Sequence, residues 1–380
     1  MRIALDALPL VSSRMTGIGY CEAGQVQAMM MLHPEEQYVL QFLEKRKRLY
    51  YYEQQRNVSV RQGHFSGYLY RLMTTAIPLP YRAFFGKDVD ITHFFNYIIP
   101  PGVAGKRIVT VHDMVYKTFP ETVRGRTRFM LESGLQRSLH RADLIVTDSE
   151  FSKTEIIRYF PATEERIRVV PCGVDKLRFS PMLPAAAPAI EELKRRMHLQ
   201  TNYFLYLGTL EPRKNLDRLI RAYALLKQQH PDAPQLVLAG GYGWRNNHIY
   251  QLVQTLHLED DVLFTEYVPE EDVQPLLCGA MAFVFPSVYE GFGMPPLEAM
   301  ACGTPVLTTR AASLPEVVGD AAVIVDPHHT EDIAQGLEKL FLDAALRERL
   351  QKEGLRRAAM FSWENAAAAL YDVYQEALTR

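Results

Sequence analysis

The chain has 380 residues, more than one compact core usually serves, so its length favours two domains. Hydrophobic residues make up 48% and charged residues 23%, a composition typical of soluble globular proteins. The formal net charge of -2 argues against a dedicated nucleic-acid-binding protein, which normally carries a large basic excess.

The first half contains short apolar runs that predict β-strands at residues 3–5, 38–42, 91–94, 108–111, 144–147 and 167–170. Helical stretches follow Gly19, Arg124 and Ser149, and Ser149 is a typical helix-capping residue. A proline-rich stretch comes next, which cannot continue a strand or a helix. We therefore predict a first domain at 1–180 and a linker at 181–200.

The second half alternates strand and helix patterns more regularly. Strands are predicted at 203–207, 235–239, 262–264, 282–285, 305–307 and 322–325, and a helix with apolar residues at helical spacing at 216–229. Strands that are apolar along their whole length suit a parallel sheet covered on both faces. The pattern predicts a second domain at 201–360, with both domains doubly wound α/β, and a last helix at 361–380 that packs back on the first domain.

Ligands of such sheets bind beyond the carboxyl ends of the strands, so the loops there are where chemistry is expected. After the strand at 282–285, Gly291 and Gly293 permit unusual torsions and close backbone approach. Pro295 and Pro296 suit the first positions of a helix. The helix start would present N–H groups to an anion, so Gly291, Phe292, Gly293, Met294 and Pro295 are predicted to bind a diphosphate.

Two carboxylates flank this predicted anion site. Glu290 and Glu298 are interpreted as acceptors for sugar hydroxyls, because an acid beside a phosphate is otherwise repelled. The alternatives are a solvated loop charge for Glu290 and a first-turn acid favoured by the helix dipole for Glu298.

Other strand ends add candidates. Gly208 follows the first strand of the second half, and Arg213 and Lys214 open the next helix, where they are predicted to neutralise a departing diphosphate. The alternative is a pair of solvated cations. Gly240 also ends a strand and is assigned to the nucleotide pocket, although a tight turn would look the same.

The spacing Glu290-x7-Glu298, followed by Ala299-Met300-Ala301-Cys302-Gly303-Thr304-Pro305-Val306, resembles the signature of the retaining GT-B glycosyltransferase family 4. The resemblance implies a GT-B fold, two Rossmann-like domains facing across a cleft, and transfer with retained configuration and no metal. It implies that Glu290 and the amides of Phe292 and Gly293 meet the donor sugar and that Glu298 meets the ribose. Thr209 stands where the family often has Arg, so Arg213 is expected to substitute.

The resemblance also assigns roles in the first domain. His112, after the strand at 108–111, is expected near the donor sugar or phosphate, with Asp113 either orienting its ring or capping the next segment. The loop with Gly17 and Gly19 is expected to approach the diphosphate and acceptor, although a glycine-rich helix start fits as well.

Three further sequence patterns could suggest ligand sites but favour structural interpretations. Asp88-Val89-Asp90 matches a metal–nucleotide motif but precedes a strand, which favours a turn. Gly17-x-Gly19 lacks the third glycine of a dinucleotide fingerprint. Cys21, Cys172, Cys278 and Cys302 are scattered and form no CxxC pair, which is typical of a reducing compartment and predicts no metal site.

The sequence therefore predicts a hexosyltransferase that uses a nucleotide diphosphate sugar and no further cofactor. GDP-mannose is favoured, with a UDP-sugar as second choice, because the Thr209 variant and the Thr110–Asp113 loop resemble those of bacterial polysaccharide mannosyltransferases. The alternatives are a non-catalytic partner of the same fold, a sugar-nucleotide-binding protein or a sugar-nucleotide epimerase.

Residues 42–85 combine basic residues, including Lys45–Arg48, with many aromatic ones. This pattern favours an anionic membrane surface and a glycan acceptor, such as one linked to a polyprenyl lipid. A helix that packs its aromatic residues inward is the alternative. The amino terminus lacks a signal-peptide pattern, and no apolar stretch is long enough to span a membrane, so we expect a cytoplasmic enzyme, peripheral at the inner face of the cell membrane.

Overall fold

The protein is described from a computed structural model. It describes every residue except 12–14, 16, 45–48, 50–51, 53, 64–65, 68, 71–72, 74–78, 184–186 and 242–246. The chain forms two compact units. Met1–Gly173 and Ser362–Arg380 make the first unit, and Val174–Phe361 makes the second.

The first unit is built on a parallel sheet of seven strands in the order β3-β2-β1-β4-β5-β6-β7. The strands are β1 (Arg2–Asp6), β2 (Gln37–Leu43), β3 (Val58–Gly63), β4 (Ile91–Phe94), β5 (Lys106–Thr110), β6 (Leu144–Thr147) and β7 (Ile167–Val169). The α-helices that the structure describes within residues 1–173 are α1 (Gly17–Leu32), α2 (Arg82–Phe85), α3 (Val115–Thr118), α4 (Gly125–Arg141) and α5 (Glu150–Tyr159). Ile3, Ala4 and Leu5 of β1 are all buried, as expected of a sheet covered on both faces.

The second unit repeats this plan with six parallel strands in the order β10-β9-β8-β11-β12-β13. The strands are β8 (Tyr203–Leu207), β9 (Gln235–Ala239), β10 (Val262–Glu266), β11 (Ala282–Phe285), β12 (Val306–Thr309) and β13 (Val323–Val325). The helices are α6 (Ala187–Arg196), α7 (Leu216–Gln229), α8 (Asn247–Thr255), α9 (Glu270–Cys278), α10 (Met294–Ala301), α11 (Leu314–Val318), α12 (Thr330–Leu342) and α13 (Ala344–Ala359). The predicted doubly wound fold is confirmed in both units.

The last helix, α14 (Trp363–Thr379), belongs to the first unit and packs against α1. Leu370 and Tyr374 of α14 are fully buried there, and the Tyr374 hydroxyl lies 2.7 Å from Nδ1 of His93 on β4. The apolar face of this helix therefore completes the core of the first unit.

The segment 181–200, predicted to be a linker, does not lie between the two units. The division between the units falls between Gly173 and Val174, before that segment. Within 181–200, α6 packs against α9, and Arg196 forms an ion pair with Asp272 of α9. The prolines end local structure, but the tertiary contacts assign the segment to the second unit.

Strand β3 was not predicted because it carries no apolar run. Its sequence is Val-Ser-Val-Arg-Gln-Gly, and it is a partly exposed edge strand that pairs only with β2. Among the described residues, no helix combines the length and the apolar character that crossing a membrane requires.

Candidate functional site

In the second unit, the strand order reverses at β8, which lies between β9 and β11. Such a reversal opens a crevice at the carboxyl ends of the two strands where ligands of α/β folds bind. The chain leaves β8 into residues 208–215 and leaves β11 into residues 286–293. These are the two loops on which the sequence placed Lys214 and Glu290, 76 residues apart.

The structure brings Arg213, Lys214 and Glu290 into one ion cluster, which we call the triad. One carboxylate oxygen of Glu290 accepts from Nζ of Lys214 at 2.6 Å, and the other accepts from Nη1 of Arg213 at 2.7 Å. Lys214 and Glu290 are 7% and 8% exposed, so the alternative of solvated loop charges is wrong for both. Two cations and one carboxylate leave the triad with one net positive charge.

The electrostatics agree with a fully ionised triad. Burial by itself would raise the pKa of Glu290, but the charges of Arg213 and Lys214 outweigh it and lower that pKa to about 2. Burial and the nearby Arg213 lower the pKa of Lys214 from its usual range, and Glu290 opposes that shift. Arg213 also contacts Glu211. Its Nε lies 3.1 Å from a carboxylate oxygen of Glu211, and this contact is nearer the surface.

Three residues that the sequence analysis missed hold the triad in place. The Ser287 hydroxyl lies 2.5 Å from Oε1 of Glu290, and the Ser313 hydroxyl lies 2.9 Å from the Glu290 carbonyl. The Asn215 side chain donates to the carbonyls of Pro286 and Pro327, which ties the end of the Lys214 loop to the β11 loop. Ser287 and Asn215 adjoin predicted site segments, a signal that was present in the sequence, whereas Ser313 arrives from a distant loop.

Gly208 and Gly240 lie against each other at the carboxyl ends of β8 and β9. Gly240 has φ +140°, and a Cβ there would lie 2.0 Å from the Gly208 carbonyl oxygen. No side chain fits in that gap, so the close approach of the two loops requires glycine at this position. Residues 242–243, which continue the loop after Gly240, lie outside the described residues.

Helix α10 starts at Met294 with Pro295 and Pro296 in its first turn, in line with the prediction. Gly293 precedes the helix with φ +115°, and a Cβ there would lie 2.9 Å from Leu314. The unusual torsion expected of these glycines is found at Gly293. Phe292 is 7% exposed and packs edge-on against Phe361.

Glu298 lies one turn into α10, outside the first turn, so the interpretation of a first-turn acid is wrong. It is half-buried. Burial raises the pKa of Glu298 to about 7, against an opposing effect of Arg178. Near neutral pH its carboxyl group is therefore present in both protonation states.

In the first unit, His112 follows β5 and both of its ring nitrogens face acceptors. Nδ1 lies 2.7 Å from a carboxylate oxygen of Asp148, and Nε2 lies 2.8 Å from the Phe95 carbonyl oxygen. Because neither partner can donate, both nitrogens must carry hydrogen, and the ring is an imidazolium. Burial opposes this charge, but Asp148 outweighs burial and the pKa of His112 rises to about 10.

Asp148, which follows β6, was missed by the sequence analysis. The residue named there, Asp113, accepts instead from the Val115 amide and the Tyr97 hydroxyl at 3.1 Å each. Of the two roles left open for Asp113, capping the next segment is the one the structure shows.

The remaining predicted positions are placed as follows. Gly17 and Gly19 form the start of α1, and a Cβ at Gly17 would meet nothing within 4 Å, so its conformation does not demand glycine. Asp88 and Asp90 both contact Arg2, Asp90 by accepting its amide at 2.7 Å. Half of the segment 45–78, including Lys45–Arg48, lies outside the described residues.

Comparison with known proteins gives matches over both units. The family model of Glycosyltransferase Family 4 matches residues 38–178, and that of Glycosyl transferases group 1 matches residues 190–357. O-antigen chain mannosyltransferase B of Escherichia coli is 38% identical over 288 residues, which cover 75% of this chain and 74% of that protein. Serotype-specific mannosyltransferase WbdA of Escherichia coli is 32% identical over 268 residues, which cover 70% of this chain but 33% of WbdA.

Solved structures agree in fold. Sucrose-phosphate synthase from Thermosynechococcus elongatus superimposes with a TM-score of 0.75 at 20% identity, covering 99% of this chain and 98% of that one. WaaG, a glycosyltransferase involved in lipopolysaccharide biosynthesis, gives a TM-score of 0.69 at 18% identity, and the match covers 100% of this chain and 98% of WaaG. At these identities the likeness establishes the fold, which is that of the GT-B enzymes.

Proposed function

Because the chain belongs to the glycosyltransferases of group 1 and family 4, we propose that it transfers a mannosyl residue from GDP-mannose to a glycan acceptor. The transfer retains the anomeric configuration and uses no metal ion. Membership of this enzyme family removes the epimerase and the non-catalytic partner from consideration.

The observation that carries the proposal is the triad at the carboxyl ends of β8 and β11. The departing diphosphate gains negative charge as its bond to the sugar breaks, and the buried Lys214 and the partly buried Arg213 beside it stabilise that charge. A low local dielectric makes this stabilisation larger than it would be in water. No nucleophilic side chain is then needed, and the acceptor hydroxyl supplies the new bond.

The role of Glu290 is twofold in this proposal. Its carboxylate holds Arg213 and Lys214 in place before the donor arrives, and it accepts a sugar hydroxyl when the donor is bound. The N–H groups at Phe292, Gly293 and Met294 face the diphosphate at the start of α10. Glu298, one turn further, takes the ribose.

His112 contributes a fixed positive charge. Its two N–H groups are committed to Asp148 and the Phe95 carbonyl, so neither is available to donate to a sugar or phosphate oxygen.

The nucleotide preference rests on the relatives. O-antigen chain mannosyltransferase B and WbdA are mannosyltransferases by name, which favours GDP-mannose, whereas the Anabaena HepE structures hold UDP, UDP-glucose or UDP and glucose. Thermal melting of the full chain with GDP, UDP and ADP separates these options, since a ligand of the native state raises the melting temperature. We expect the largest rise with GDP, and a larger rise with UDP would contradict the donor assignment.

The reaction itself is tested by incubating the chain with GDP-mannose and a mannose-terminated lipid-linked oligosaccharide. We expect a new α-linked mannose by NMR, with undiminished turnover in the presence of EDTA. A β-linked product, or activity that EDTA abolishes and a divalent ion restores, would contradict retention or metal independence respectively.

We propose that the acceptor is lipid-linked and that the enzyme works at the cytoplasmic face of the membrane through residues 42–85. In the described part of that segment, Arg82 is exposed and Phe84 is 40% exposed, a cation beside an aromatic ring that suits an anionic interface. Sedimentation with vesicles containing an anionic phospholipid tests this. Binding should weaken when Lys45–Arg48 are neutralised, and equal sedimentation with neutral vesicles would count against it.

A further inference from the structure

The fold brings together two cysteines that lie 151 residues apart in the sequence. The sulfur of Cys21, in the second turn of α1, lies 3.1 Å from the sulfur of Cys172, which follows β7. Both residues are 3% exposed, and both are free thiols. A disulfide requires about 2.05 Å between the sulfurs, so a shift of about 1 Å would join them.

The surroundings make the two thiols unequal. A nitrogen of His112 and a carboxylate oxygen of Asp148 lie within 4.8 Å of the Cys21 sulfur. The contact with Cys21, and then burial, raise the pKa of Cys172 well above its usual range, so Cys172 keeps its proton.

The pair occupies a closely packed part of the first unit. Cys172 adjoins Gly173, the last residue before the chain leaves this unit, and a Cβ on Gly173 would lie 2.4 Å from the Trp363 amide. A Cβ on Gly24, one turn after Cys21, would lie 2.3 Å from the Trp363 ring. Because Trp363 packs against both segments, α1 and the segment with Cys172 are held beside each other.

We propose that Cys21 and Cys172 are an oxidation site, at which a peroxide converts the two thiols into a reversible disulfide. The Cys21 sulfur attacks a peroxide oxygen as its thiol proton leaves, the O–O bond breaks, and Cys21 becomes a sulfenic acid while the released hydroxide takes that proton to form water. The Cys172 sulfur then attacks the sulfenic sulfur, and the displaced hydroxide leaves as water with the Cys172 proton. In sum, hydrogen peroxide is reduced to two waters as two thiols are oxidised to one disulfide.

The test uses the full chain with Cys278→Ser and Cys302→Ala, which leaves only this pair. After treatment with hydrogen peroxide, thiols are counted in denaturant and peptides are mapped by mass spectrometry. We expect both thiols to disappear, the mass to fall by two hydrogens, and one cross-linked peptide pair joining Cys21 to Cys172. The melting temperature should rise, because the bond closes a loop of 151 residues, and dithiothreitol should reverse each change.

Single variants in this background assign the roles. With Cys172→Ala, peroxide should leave a sulfenic acid on Cys21 that dimedone traps, whereas with Cys21→Ala the Cys172 thiol should stay unmodified. Two free thiols after prolonged exposure, or cross-links between chains only, would overturn the proposal. So would a zinc ion that copurifies with the chain and is lost in both Cys21→Ala and Asp148→Asn.

Discussion

At the scale of single residues, the chemistry of this enzyme depends on charges that are buried and paired. Glu290 is 8% exposed yet ionised, because two cations meet its carboxylate. His112 is equally buried and carries its charge because Asp148 faces it. In each case the loss of one partner leaves an uncompensated charge, which costs more than a surface ion pair contributes.

The first prediction concerns the triad. Glu290→Gln keeps the size of the side chain but removes the counter-charge of Arg213 and Lys214. We expect transfer to fall by about 10²–10³-fold and the free energy of unfolding to fall by about 3 kcal/mol.

Steady-state kinetics and denaturant unfolding of the same preparations measure both effects. The matched control is Glu211→Gln, which removes the more exposed contact of Arg213 and should cost less than about 1 kcal/mol. Equal losses in the two variants would show that burial of the triad is not the cause.

The second prediction concerns His112. Its folded pKa of about 10 lies above the usual 6.5, so the stability it contributes is complete below pH 6.5 and is lost as the pH rises through about 10. Asp148→Asn removes that contribution. The difference in unfolding free energy between the native protein and the variant should therefore shrink as the pH rises across this window.

Denaturant unfolding at several pH values measures that difference, and ¹⁵N NMR of the imidazole supplies an independent reading. At pH 8 the native His112 should show two protonated nitrogens and the variant only one. A neutral ring in the native protein would exclude the fixed-charge role.

At the scale of elements, the candidate donor site is made by loops that approach closely at the ends of three neighbouring strands. The ends of β8, β9 and β11 converge because these strands are adjacent in the sheet. Gly240 allows two of the loops to touch, and Ser287 and Ser313 fix the third. The site is therefore as sensitive to backbone spacing as to its charged side chains.

The third prediction follows from that spacing. Gly240→Ala places a Cβ 2.0 Å from the Gly208 carbonyl oxygen at φ +140°, so the β8 and β9 loops must separate. We expect a cost of about 2 kcal/mol in stability and weaker nucleotide binding. Gly241→Ala is the matched control, because its Cβ would meet nothing within 4 Å.

Thermal melting and calorimetric titration with GDP measure the two effects. If both alanine variants bind the nucleotide equally, the contact between the loops does not shape the donor site.

At the scale of the whole molecule, the first unit combines the amino-terminal residues 1–173 with the carboxyl-terminal residues 362–380. Residues 362–380 return to α1 after the second unit is complete, and Ala367, Leu370 and Tyr374 of α14 are fully buried in the first unit. The donor loops, in contrast, lie wholly within Val174–Phe361.

The fourth prediction uses this division. Deleting residues 362–380 should strip hydrogen-exchange protection from β1, β2 and α1, because their apolar cover is lost. Binding of GDP should persist with an unchanged Kd, since the triad and α10 keep all their contacts, while transfer disappears.

Hydrogen exchange by mass spectrometry and calorimetric titration test both parts. Removal of Thr379 and Arg380 alone, which are exposed, is the control and should leave protection intact. Loss of protection in β8 and β11 as well would show that the folding of the second unit depends on residues 362–380.

Much of the fold could be predicted from local pattern. Every strand of the second unit was found, because strands covered on both faces are apolar throughout, and the amphipathic helix at 216–229 coincides with α7. The edge strand β3 was missed because it is half-exposed and polar. The domain boundary was misplaced because prolines show where an element stops, whereas contacts between α6 and α9 decide to which unit it belongs.

By itself, the sequence determined the doubly wound fold, and it pointed to the loops with Glu290, Lys214 and the Gly293–Pro295 helix start as the candidate site, since these are recognisable from residue type and spacing. Only the tertiary structure decided which side chains meet. Glu290 pairs with Arg213 and Lys214, His112 pairs with Asp148 instead of its neighbour Asp113, and Cys21 meets Cys172. The physical reason is that parallel strands adjacent in a sheet are distant in the chain, so the partners that set charge and reactivity are fixed by strand order.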